Sequence, residues 1–173
     1  VELPIYHGTS EEVLSKGIGH LQGSSLPVGG ESTHSILTGH RGLPQSKLLT
    51  RLDELEEGDY FFFHVLDETL AYQVTEIQVV KPEEVSVLKI QEGQDLASII
   101  TCTPYGLNTH RLIVTGKRVP YEAKQANSMG EELPSARELV FTLLPFAFLL
   151  LFLLYIWRER RRRTHEAKYD DKI

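Results

Sequence analysis

Residues 96–119 read LASIITCTPYGLNTHRLIVTGKRV, and this stretch decides the fold class. Two runs rich in β-branched residues, 96–102 and 111–119, bracket a segment, 103–110, that is crowded with turn formers. The pattern predicts two strands joined as an antiparallel hairpin. Such a hairpin returns Arg111 to the neighbourhood of Cys102.

Upstream, 69–80 reads as a long strand. Its apolar parity runs Leu70, Tyr72, Val74 and then shifts to Ile77 and Val79, which predicts a bulge. The aromatic run YFFFHV at 60–65 predicts another strand, and THSILTGH at 33–40 a third, with Ile36, Thr38 and His40 on one face by the period of two. Lys81-Pro82 ends the long strand. Residues 41–44 and 56–59 read as turns, 23–31 as a loop, and 45–52 as a short helix at most. Thr9-Ser-Glu-Glu12 reads as a capping box opening a short helix over 10–16 that stops at Gly17. Many short strands with Gly- and Pro-rich turns predict a mainly β domain, a closed barrel or a sandwich; periodicity does not choose between them. No internal repeat is visible.

Beyond the hairpin, 122–138 is polar and reads as a juxtamembrane linker or helix. Residues 139–157, LVFTLLPFAFLLLFLLYIW, carry no charge. As a helix they would reach about 28 Å, close to the hydrocarbon thickness of a bilayer. They predict a transmembrane helix, with Pro145 tolerated inside it and Tyr155 and Trp157 at an interface. Arg158 and Arg160 to Arg163 follow at once, which predicts a basic cytoplasmic tail over 158–173 and residues 1–138 on the outer side of the cell membrane. Charge agrees: residues 1–138 carry 11 Lys+Arg against 20 Asp+Glu, the remainder 7 against 4. An acidic outer part argues against a nucleic-acid partner. Val1 is not an initiating Met and no secretory signal follows it, so an upstream segment is expected to have been lost.

The chain has one cysteine and seven histidines. A lone thiol in an exported domain is either inert and buried or reactive. Cys102 closes an apolar strand at the mouth of a turn-rich loop, a place suited to access. His40 stands at a comparable strand-to-loop edge, although any of the seven histidines could be the base. Arg111, at the start of the next strand, could orient a carbonyl or hold an oxyanion, or be a solvated charge at a strand end. One Cys and scattered His residues give no pair at metal-ligand spacing, and no metal or other cofactor is expected.

Thr101-Cys-Thr-Pro-Tyr-Gly-Leu-Asn-Thr-His-Arg111 resembles the catalytic segment of class C, pilus-assembly sortases. His34-Ser-Ile-Leu-Thr-Gly-His-Arg-Gly-Leu-Pro44 resembles their histidine segment, and 3–9 and 19–30 resemble the part upstream. The likeness covers about residues 3–121, followed by a C-terminal anchor. It implies an eight-stranded sortase-type β-barrel over 1–121 with short helices. It also implies a cysteine transpeptidase in which Cys102 is the nucleophile, His40 the general acid and base, and Arg111 the group that holds substrate and oxyanion. Thr101 and Tyr105 would shape the pocket floor, or serve only in packing; His34 and His110 would be structural. The substrate implied is a secreted pilin or surface protein with an LPXTG-like signal, cleaved between Thr and Gly and joined to a pilin Lys. A housekeeping sortase, a hydrolytic thiol protease and a non-catalytic adhesin are the alternatives. The family's lid and first strand would lie upstream of Val1.

Overall fold

The computed structural model describes residues 2–42, 48–122 and 136–170, and divides into two compact units at residues 129 and 130. The first unit is one seven-stranded sheet. Its strands are β1 (Ile5–His7), β2 (Ile18–His20), β3 (Thr33–Thr38), β4 (Tyr60–Val65), β5 (Glu68–Val80), β6 (Asp95–Thr103) and β7 (His110–Val119), in the order β1-β2-β3-β6-β7-β5-β4. The domain is mainly β, as expected. Among the described residues the strands number seven, not eight, and the edge strands β1 and β4 are not bonded to each other, so the sheet is curled but open.

The hairpin that decides the class forms as read: β6 and β7 pair antiparallel from Leu96↔Lys117 to Thr103↔His110. The parity break in β5 is a register shift between Val74 and Glu76 against β7. Strand β3 stops at Thr38, two residues short of the expected end, because Gly39 and His40 turn into the following loop. Strands β1 and β2 were not anticipated. Each is three residues long, and a glycine at the centre of β2 hides its alternation. Helix α1 (Glu11–Leu14) is shorter than 10–16, and its cap is Ser10, not Thr9: the Ser10 hydroxyl accepts from the Val13 N–H. Of the helix expected at 45–52, residues 45–47 lie outside the described residues; the chain then turns at 48–50 and makes a single 3-10 turn, Leu52–Glu54.

The core lies on one face of the sheet. Tyr72 at its centre is wholly buried, stacked on Phe61 at 5.5 Å between ring centroids and tilted against Phe63 at 5.1 Å. Leu37, Leu70, Val74, Ala97, Leu112 and Val114 close around these rings. Gly116 is what lets Phe61 lie flat there, since a Cβ at that position would meet the Phe61 ring at 2.6 Å.

The second unit contains α2 (Ala136–Asp170), 35 residues with Pro145 inside it. Of the linker expected at 122–138, residues 123–135 lie outside the described residues. Among the described residues no helix is long and apolar enough to cross a membrane. The side chains described in α2 are those of 140 and 142–158, so Leu139 and Phe141 of the apolar run are not among them.

Candidate active site

Three adjacent strand ends assemble the candidate site. β3 and β6 run parallel at a constant register from Thr33↔Asp95 to Thr38↔Ile100. The Gly39 N–H donates to the Ile100 carbonyl at 3.1 Å, and the Thr101 hydroxyl donates to the Gly39 carbonyl at 2.9 Å, so the two chains stay together past the last ladder pair. The same register carried forward brings His40 level with Cys102. On the other side of β6, Cys102 pairs directly with Arg111 of β7, and Arg111 with Val80 of β5. Facing residues on neighbouring strands project to the same side of a sheet. His40, Cys102 and Arg111 therefore form a row of backbone positions at three neighbouring strand ends, with Cys102 and Arg111 on the face opposite the Tyr72 core.

This face grades from closed to open along the strands. Ile36, Ser98 and Ile113 are buried, whereas Thr38, Ile100, Cys102 and Arg111 are half-exposed. At the closed end His34 is 1% exposed. Its Nε2 lies 2.7 Å from the Ser98 hydroxyl, and Nδ1 donates to the Lys89 carbonyl at 3.0 Å. Ser98 in turn meets the Thr115 hydroxyl at 2.7 Å. Burial pushes the His34 pKa below its ordinary value, with the Lys89 carbonyl opposing, so the ring is a neutral acceptor for Ser98. The network pins the segment between β5 and β6 over the sheet, in keeping with the structural role expected for His34.

At the open end the side chains are less engaged. Cys102 is a free thiol, and among the described residues its sulfur makes no hydrogen bond. The His40 ring is 27% exposed and its Nε2 lies 3.2 Å from Glu11 Oε1. Arg111 turns Nη1 to the carbonyls of Asn108 and His110, at 3.2 and 3.1 Å. The backbone thus brings the three residues together, while no side-chain hydrogen bond yet joins them. Apo catalytic contacts are commonly this loose. Thr101 lies on the opposite face, 1% exposed, and its hydroxyl donates to the Gly39 carbonyl. Tyr105 is 60% exposed and lies beside Gly42, its hydroxyl 3.4 Å from the Gly42 carbonyl. His110 is half-exposed, and its ring Nδ1 lies 2.9 Å from the Thr109 hydroxyl.

Two residues near the site escaped the sequence reading. Glu11, at the start of α1, comes from a segment read only as a helix cap. Arg41 was read as part of a turn, yet its side chain is buried and paired with Asp53. Among the described residues no three His, Cys, Asp or Glu side chains converge on a metal-sized site.

The sequence pattern of the Sortase domain matches residues 1–119. The chain belongs to the sortase family. Among curated sortases it is 31% identical over 121 residues to sortase D of Bacillus subtilis, covering 68% of this chain and 58% of that one. To sortase A of Staphylococcus aureus it is 30% identical over 113 residues, covering 63% and 53%. The chain therefore spans little more than half the length of these curated relatives. Solved class C sortases are more similar. Sortase C-1 of Actinomyces oris is 56% identical with a TM-score of 0.69, covering 70% of this chain and 67% of that one. Sortase C1 of Streptococcus agalactiae is 57% identical with a TM-score of 0.70, covering 70% and 63%. Sortase C of Streptococcus pneumoniae, described with reference to pilin substrate specificity, is 54% identical with a TM-score of 0.69, covering 71% and 65%. At such identity the likeness concerns sequence as well as fold, and the resemblance to class C sortases stands.

Proposed function

We propose that this sortase is a cysteine transpeptidase that joins pilin subunits. The observation that carries the reading is the row His40–Cys102–Arg111 on three neighbouring strand ends. Cys102, as thiolate, attacks the carbonyl carbon of the Thr–Gly bond in an LPXTG-like signal. The C–N bond breaks, a thioester forms on Sγ, and protonated His40 gives its proton to the departing Gly amine. A Lys amine of a second pilin then attacks the thioester. His40 takes the amine proton, an amide forms, and the Cys102 thiolate is released. Arg111, swung from its own loop carbonyls, holds the carbonyl oxygen as charge develops on it. Bond exchange through a thioester conserves acyl-transfer energy, so the reaction as written calls for no nucleotide.

Residues 139–157 span the cell membrane in this reading, leaving the site outside and the Arg-rich tail in the cytoplasm. The support is compositional: an uncharged run of bilayer length followed at once by basic residues. The chain is expected to stay with membrane vesicles through alkaline extraction, and its release into the supernatant would remove the span.

The test of the reaction is direct. The full chain in detergent is mixed with an LPXTG-type peptide and examined by intact mass spectrometry, and then an amine is added. The expected result is an acyl adduct on Cys102 that passes to the amine. An adduct that passes only to water would make the protein a thiol protease, and no adduct would remove the catalytic reading.

A further inference from the structure

We infer that Arg41 is a positioning residue, which fastens the segment after His40 to the segment after Cys102 and so sets the His40 ring against the thiol. The inference rests on the transpeptidase reading of that pair. The Arg41 side chain is only 7% exposed. It forms an ion pair with Asp53, within the 3-10 turn, and Nη1 lies 3.4 Å from the Thr103 hydroxyl. Its Nε is buried and among the described residues has no hydrogen-bond partner. Burying a guanidinium with one N–H unsatisfied costs stability that an apolar side chain of similar volume would not. A charged group at this place is therefore poorly explained by packing, and well explained by the two segments that it ties.

The neighbouring contacts point the same way. Gly42 has φ +81°, and a Cβ there would meet the Tyr105 ring at 2.5 Å. The Tyr105 hydroxyl donates to the Gly42 carbonyl at 3.4 Å, and the Gly42 N–H to the Thr50 hydroxyl at 3.4 Å. Arg41 and Gly42 thus meet Thr103 and Tyr105, the residues just beyond Cys102. On the near side Thr101 holds the Gly39 carbonyl, and the Leu49 N–H donates to the His40 carbonyl at 3.2 Å. The backbone around His40 is held before, at and after the residue. Among the described residues the ring's one hydrogen-bond partner is the exposed Glu11 carboxylate. Its placement toward Cys102 is therefore inherited from the backbone joint, and Arg41 is the charged member of that joint.

The experiment uses the full chain in detergent micelles with an LPXTG-type peptide and an amine. A misplacement of about 1 Å in a catalytic group costs about 100-fold in rate, and Arg41→Gln is expected to lower kcat on that scale with peptide KM nearly unchanged. The His40 ring Cε1–H resonance, assigned with His40→Gln, is expected to move in Arg41→Gln. Should that variant fail to fold, Thr103→Val serves instead. It keeps the Arg41–Asp53 pair and cuts only the link to the Cys102 segment, with an expected loss of about 10-fold, the scale of one hydrogen bond to a charged group. A kcat and a His40 resonance that both match the parent overturn the inference. So does a loss of activity that only tracks the unfolded fraction while the resonance stays in place. If the parent forms no peptide adduct, the transpeptidase reading fails, and the His40 resonance still decides whether Arg41 sets the ring.

Discussion

Cys102→Ala is expected to abolish the acyl adduct and to lower transfer turnover by at least about 10⁴-fold, the scale on which loss of a covalent nucleophile is felt. Stability should hardly change. The thiol is half-exposed and makes no hydrogen bond among the described residues, so its removal leaves neither a closed cavity nor an orphaned partner. His40→Gln should lower turnover by about 10²–10⁴-fold, the usual contribution of a general acid and base. The two losses should not add, because without the Cys102 nucleophile no thioester forms and His40 has no departing amine to protonate. Steady-state transfer to an amine measures turnover, and intact mass measures the adduct. A Cys102→Ala chain that still transfers peptide would place the nucleophile elsewhere. A Cys102→Ala/His40→Gln chain much slower than either single variant would mean that the two residues serve separate steps.

The hairpin was legible because its two strands are β-branched, long, and separated by a loop that could be nothing but a turn. Cys102 and Arg111 follow from that hairpin alone, since antiparallel pairing around 103–110 makes them partners. His40 could not be reached in the same way. Its strand lies 62 residues before β6 in sequence and pairs with it in parallel, and no local pattern encodes a parallel register. Only the resemblance to class C sortases singled it out from seven histidines. Strands β1 and β2 were missed for a different reason: three residues give too few turns of a period-two pattern to read. The role of Arg41 was hidden because a basic residue before Gly-Leu-Pro looks like surface. What buries it is Asp53, twelve residues on, and Thr103, from a distant strand, and neither contact leaves a mark on the local pattern. The third member of the row, Arg111, shows how far hairpin reading goes. It fixes the backbone partner, whereas the guanidinium turns back to its own loop carbonyls.

The largest stability effect is expected at Tyr72. Its ring is wholly buried between Phe61 and Phe63, and its hydroxyl donates to Asp95 Oδ1 at 3.0 Å. Asp95 also accepts from the Gly30 N–H at 2.9 Å, so Tyr72 helps to tie the loop before β3 to the start of β6. Tyr72→Ala is expected to cost about 3–5 kcal/mol, as large-to-small changes at buried aromatics do. That is much of the 5–15 kcal/mol, roughly, that a domain has in total. Tyr72→Phe keeps the ring and should cost about 1 kcal/mol for the hydrogen bond. Urea unfolding followed by near-ultraviolet circular dichroism measures both, and equal losses would mean that the hydroxyl, not the ring, holds the core. The same group gives an alkaline signature. Burial first, and then the Asp95 charge, push the Tyr72 pKa up to about 12, against the hydrogen bond and charge of Arg118. The folded state therefore favours the protonated phenol more than the unfolded state does. Its contribution is complete below about pH 10, the ordinary phenol value, and is lost as pH rises from there through about 12. Tyr72→Phe should remove this part of the alkaline fall in stability, because a ring with no proton to lose is indifferent to pH.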